Sequence, residues 1–101
     1  MDEKMKTLNE IKKTLAEQKE ELKRKYKVTQ IGIFGSYIRN EQTKSSDVDI
    51  LVEFEKPVSL LHIVSLENYL SDILGIKVDV VTKKNIRKEL RDIIIKETIS
   101  V

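Results

Sequence analysis

The sequence predicts an α/β fold: a three-stranded central sheet covered by about four helices, in the order α-β-α-β-α-β-α. Three observations carry this. Short β-branched apolar runs stand at residues 28–34 (VTQIGIF), 48–54 (VDILVEF) and 76–81 (IKVDVV). Stretches with apolar residues three and four apart lie before, between and after them. Residues that stop or cap elements, Gly35, Pro57 and Gly75, fall at the junctions.

Taken in order, Met5, Leu8, Ile11, Leu15 and Leu22 recur at helical spacing among Lys and Glu, which predicts a helix over residues 3–25. Gln18 and Lys25 interrupt a heptad pattern, so this helix is expected to pack on its own domain rather than in a coiled coil. The first strand ends at Gly35, and a short helix over 36–41 follows. The second strand is terminated by Glu55, Lys56 and Pro57. Helix three is expected from Ser59 to Leu74, with Leu60, Leu61, Val64, Leu70, Ile73 and Leu74 on its apolar side and Gly75 as C-terminal cap. After the third strand, Thr82 is a candidate N-cap for a helix reaching Thr98, with Ile86, Leu90, Ile93 and Ile94 on its buried side.

The 101 residues suit one domain spanning 1–101. No cysteine is present, so neither a disulfide framework nor a thiolate metal site is available, as suits a cytoplasmic protein. No signal-peptide core occurs, and no run approaches the roughly eighteen apolar residues of a membrane span. The net charge is +2 although 36% of residues are charged. The two signs are interleaved, so a nucleic-acid-binding face is not expected.

The chemistry concentrates in residues 34–54, FGSYIRNEQTKSSDVDILVEF. Gly35 and Ser36 stand where a strand turns into a helix, and after ten intervening residues Asp47 and Asp49 open the next strand. Strand side chains two apart share a face, so the two carboxylates project together. Such a pair repels unless a cation lies between, and a hard divalent ion such as Mg²⁺ suits carboxylates and phosphate oxygens. Asp79 interrupts the third apolar run, where a buried acid is costly unless paired or metal-bound. If the second and third strands are neighbours, Asp79 completes a triad with Asp47 and Asp49, the ligand set of a two-metal phosphoryl site. Glycine lets backbone approach a phosphate closely, and free N–H groups at a helix start favour an anion. No GxxxxGK[ST] loop is present.

The runs GSYIRN, SSDVDILVEF, YLSDILGIKVDVVT and RKELRDIIIKE resemble the nucleotidyltransferase superfamily that includes DNA polymerase beta, and within it the minimal nucleotidyltransferases of prokaryotic toxin–antitoxin pairs. The resemblance implies a palm-like fold in which Gly35 and Ser36 cradle the triphosphate. It implies that Asp47 and Asp49 hold two Mg²⁺ ions, with Mn²⁺ as a substitute, and that Asp79 binds the catalytic metal and acts as base. Arg39 matches the family's arginine after Gly-Ser, while Asn40 replaces the usual glycine and tolerates the same left-handed turn. It further implies ATP as donor and, as acceptor, a tyrosine of a HEPN-type toxin with which the chain forms a hetero-oligomer. The alternatives are a binding module that masks the toxin, and nucleotidylation of a small molecule or RNA.

Other residues read more plainly. Lys83, Lys84, Arg87, Lys88 and Arg91 are expected to form a solvated face of the last helix, with phosphates or an acidic partner as the functional alternative. His62 is expected at the surface. For Tyr37, beside the Gly-Ser pair, stacking on a base is the functional alternative rather than the expected role, and Tyr26 and Tyr69 read as packing residues with self-modification as their alternative.

Overall fold

The structure, a computed structural model, describes residues 7–38 and 47–101. The first predicted helix is two helices, α1 (Leu8–Glu17) and α2 (Lys19–Tyr26). Thr7 caps α1 reciprocally: its hydroxyl accepts the Glu10 N–H at 3.2 Å, and the Glu10 carboxylate accepts the Thr7 N–H at 3.1 Å. Residues 3–6 of the predicted helix, Met5 among them, lie outside the described residues. The break falls at Gln18 (φ −102°, ψ 6°). This is the polar position that interrupts the apolar pattern, and its side-chain oxygen accepts the Tyr69 hydroxyl at 2.7 Å.

β1 (Val28–Phe34) and β2 (Val48–Phe54) have the predicted bounds. α3 (Leu60–Leu74) starts at Ser59, whose hydroxyl accepts the His62 N–H, and ends at Gly75 in the left-handed conformation, φ +69°. β3 (Val78–Thr82) starts two residues later than expected. The predicted last helix is divided: a 3₁₀ turn (Lys83–Asn85), extended Ile86, then α4 (Lys88–Glu97). Thr82 precedes the turn without a side-chain capping bond. Ile86 breaks the helix because it turns inward to pack with Phe34 and Leu51.

The sheet has four strands rather than three. The short β4 (Ile99–Ser100) pairs antiparallel with β1, and the order is β3-β2-β1-β4, with β1–β2 antiparallel and β2–β3 parallel. On one face Ile31 and Ile33, Val48, Ile50 and Val52, and Val78 and Val80 meet Ile11, Leu15 and Leu22 of α1 and α2 and Leu66, Leu70 and Leu74 of α3. On the other, Phe34, Leu51 and Ile86 form a smaller cluster with Val81 and Ile94. Edge strand β3 is blunted by α3: Ser71 Oγ accepts the Val78 N–H at 3.0 Å, and Glu67 Oε2 accepts the Val80 N–H at 2.8 Å.

Three expectations about helix faces are corrected. Leu60 and Leu61 are 75% and 81% exposed, and Val64 is also exposed. The stripe that meets the sheet starts at Ile63 and Leu66, beyond the helix's first turn. On α4, Leu90 and Ile93 are exposed, and only Ile94 turns to the small cluster. His62 is half-buried rather than at the surface. Its Nε2–H donates to the Tyr26 carbonyl at 2.6 Å, satisfying an acceptor at the end of α2, and its ring stands edge-on to Phe54. Among the described residues no helix is long and apolar enough to cross a membrane.

Candidate active site

Two of the three predicted acids, Asp49 and Asp79, lie on neighbouring strands, and Asp47 immediately precedes β2. Val48 N–H donates to the Lys77 carbonyl at 2.9 Å, which joins the start of β2 to β3. The parallel register then sets Asp49 opposite Asp79, while on its other side Asp49 faces Phe34 of β1. Register partners on adjacent strands share a face with backbones about 4.8 Å apart, and Asp47 stands two residues upstream of Asp49, just before β2. The intervening residues Val48, Ile50, Val78 and Val80 all enter the main core. A slip of one residue would bury the acids and expose the valines, so the hydrophobic alternation fixes where the carboxylates point.

Asp79 is exposed, and Asp47 and Asp49 are half-buried. The expectation of a buried acid in mid-strand is thereby corrected: β3 is an edge strand whose acidic face is open at this point, so Asp79 keeps its hydration. Lys77 Nζ stands 4.0 Å from the Asp47 carboxylate, a solvent-screened pair of little energetic weight.

Gly35 follows β1 directly, at φ +83°. A Cβ there would overlap the Asp49 carboxylate, so both the backbone conformation and the acid's position require glycine. The Gly35 N–H donates to Glu97 Oε1 at 2.8 Å. Ser36 lies in the 3₁₀ turn Gly35–Tyr37 that replaces the start of the predicted short helix. Arg39, Asn40 and the rest of that helix lie outside the described residues.

Tyr37 does not face a base-binding surface; it is buried in the main core. Burial, and secondarily the charge of Asp47, push its phenol pKa above the ordinary value. Tyr26 and Tyr69 pack together with ring centroids 5.2 Å apart. Of the basic residues, Lys83 pairs with Glu53 at 2.8 Å and Arg87 with Glu89 at 2.9 Å, whereas Lys84 and Lys88 are exposed.

Among the described residues, no three His, Cys, Asp or Glu side chains are already gathered as a cation site. The chemistry of the donor set still fits a hard divalent ion, since Asp47, Asp49 and Asp79 offer only carboxylate oxygens. Glu97 is the site residue that sequence reasoning missed. It reads as one more acid in a charged helix, and no spacing rule links it to Gly35.

The family model described as "Nucleotidyltransferase domain" matches residues 15–101. A Methanocaldococcus jannaschii relative is 62% identical over 82 residues, covering 81% of this chain and 84% of its own. The protein adenylyltransferase MntA of Thermococcus cleftensis is 43% identical over 97 residues, covering 96% of this chain and 98% of its own. A solved minimal nucleotidyltransferase structure superposes with a TM-score of 0.74 at 29% identity, over 90% of this chain and 95% of that one. A chain from the complex of a tri-AMPylated Shewanella oneidensis HEPN toxin with MNT antitoxin superposes at 0.64 with 21% identity, over 89% of this chain and 70% of that one, a likeness of fold.

Proposed function

The chain belongs to the nucleotidyltransferase domain family, and on that premise we propose that it transfers AMP from ATP to a tyrosine hydroxyl of a HEPN-type toxin, acting as its antitoxin. The observation that carries the reading is the register of Asp49 on Asp79, with Asp47 just before β2 and Gly35 against Asp49. The relative named protein adenylyltransferase, matched along nearly the whole chain, supports a protein acceptor. The fold likeness to the HEPN toxin complex supports the partner class.

Asp47, Asp49 and Asp79 would hold two Mg²⁺ ions, which when bound offset charge on the attacking and leaving oxygens. The chain's own groups do the rest. Gly35, whose missing side chain lets the Asp49 carboxylate stand against its backbone, belongs with Ser36 and Arg39 to the triphosphate cradle. The acceptor oxygen forms a bond to the α-phosphorus in line with the bond that breaks, pyrophosphate leaves, and Asp79 takes the hydroxyl proton. The acids stand on an open sheet face, so the orientation that in-line transfer needs comes from the docked partner. The interleaved charge and the lack of cysteine support action in the cytoplasm on a protein rather than on nucleic acid.

The test is to incubate the chain with ATP, Mg²⁺ and a HEPN toxin and to follow intact mass. AMP should add to a toxin tyrosine, and Asp47→Ala should lose both the adduct and neutralisation. Full neutralisation by Asp47→Ala, with no adduct on the wild-type complex, would instead establish a masking module.

A further inference from the structure

Glu97 is the last residue of α4, and the fold holds it in place from both sides. The Thr98 N–H returns to the Ile94 carbonyl at 3.0 Å, and the Thr98 hydroxyl donates to the same oxygen at 2.6 Å. The next residues, Ile99 and Ser100, pair with Ile33 and Gly32 of β1. A Cβ on Gly32 would strike Thr98, so the close approach of this segment depends on glycine. Glu97 is thereby set against the end of β1, where its carboxylate takes the Gly35 N–H.

Gly35 lies between two acids: its Cβ position meets Asp49 and its N–H meets Glu97. A single N–H donates well in only one direction, so a phosphate oxygen and the Glu97 carboxylate cannot both hold it.

We propose that Glu97 is a resident anion in the phosphate seat, a carboxylate that an incoming triphosphate displaces, and that it thereby sets the site's affinity for phosphates. The proposal rests on the reading of Gly35 as part of the triphosphate cradle and adds a control element to it. While Glu97 occupies the N–H, only the remaining fraction of molecules is ready to bind, and apparent affinity falls by that fraction. Ligands with several phosphates on the aspartates have binding energy to spare for the exchange, and a lone phosphate has little.

Calorimetric titration of wild type, Glu97→Ala and Glu97→Gln with ATP, inorganic tripolyphosphate and adenosine, each with Mg²⁺, tests this. Glu97→Ala should bind ATP and tripolyphosphate about tenfold more tightly, the scale of one charge-assisted hydrogen bond, with adenosine unaffected. Glu97→Gln, which keeps the acceptor and drops the charge, should show a smaller gain in the same direction. A merely structural tie predicts the opposite sign: weaker ATP binding in Glu97→Ala, restored by Glu97→Gln. That result, or wild-type affinity in both variants, would overturn the proposal and leave the nucleotidyltransferase reading standing. If neither wild type nor variants bind ATP or tripolyphosphate, the reading of the cradle fails, and the proposal with it.

Discussion

Asp49 and Asp79 are register partners across the parallel β2–β3 pair, and their chain neighbours Val48, Ile50, Val78 and Val80 point into the core on the opposite face. The core therefore sets the spacing of the acids, and removing a charge need not disturb it. Asp49→Asn should leave folding stability within about 1 kcal/mol, as changes at partly exposed positions do. AMP transfer should fall by roughly two to three orders of magnitude, as when one preorganised electrostatic group is lost. Mg²⁺ should raise the melting temperature of the wild type but not of Asp49→Asn, because only a protein that binds the ion is stabilised by it. Thermal melts with Mg²⁺ and with chelator decide the matter; equal shifts for both proteins would remove Asp49 from the ion's ligands.

Two glycines separate strain from collision. Gly35 and Gly75 both have positive φ, +83° and +69°, but a Cβ on Gly75 meets nothing within 4 Å whereas one on Gly35 overlaps Asp49. Gly75→Ala should cost only the backbone strain, roughly 1–2 kcal/mol, and keep activity. Gly35→Ala should cost more and abolish transfer, because the Asp49 carboxylate has to move. Urea unfolding alongside a transfer assay checks both, and an active Gly35→Ala would show that the acid's present position is not needed.

What was legible in the sequence follows from how local each signal is. β1 and β2 announce themselves through β-branched runs closed by Gly35 and Pro57, and the Asp47–Asp49 pairing needs only strand alternation. The adjacency of Asp79 depends on which strands pair, which no local pattern records. β4 is two residues long and is made by docking against Gly32, so Ile99 and Ser100 carry no strand signal of their own. The exposed Leu60 and Leu61 match helical periodicity as well as Leu70 does, because periodicity shows which residues share a face but not where the sheet beneath ends. Glu97 was invisible for a similar reason: its partner is 62 positions away in the chain.

That ambiguity on α3 is measurable. Leu70 is fully buried while Leu61 is 81% exposed. Leu70→Ala should cost about 2–5 kcal/mol, the transfer free energy plus the cavity, and Leu61→Ala should stay within about 0.5 kcal/mol. Chemical denaturation of the two variants provides the comparison. A large loss at Leu61 would place that side chain in an interface or a core that the described residues do not show.

Tyr37 gives the fold a dependence on high pH. Its phenol is held above the ordinary value of about 10, by burial first and by the charge of Asp47 second. As pH rises, the unfolded chain releases this proton before the folded chain does. The folded state then binds more protons than the unfolded one, so stability falls with increasing pH. The contribution is complete below about pH 10 and is lost as pH climbs through the higher folded value. Tyr69 shifts in the same direction, by burial first and then by Glu21. Between about pH 9 and about pH 11 the wild-type melting temperature should fall more steeply than that of Tyr37→Phe, with a double Tyr37→Phe, Tyr69→Phe variant flatter still. Lysines that deprotonate over the same range act in all three proteins, so the differences isolate the phenols. Because Asp47 contributes to the shift, Asp47→Asn should lower the pH at which Tyr37 ionises, read from phenolate absorbance against a Tyr37→Phe control. Superimposable titrations with and without the Asp47 charge would mean that burial alone holds the phenol neutral.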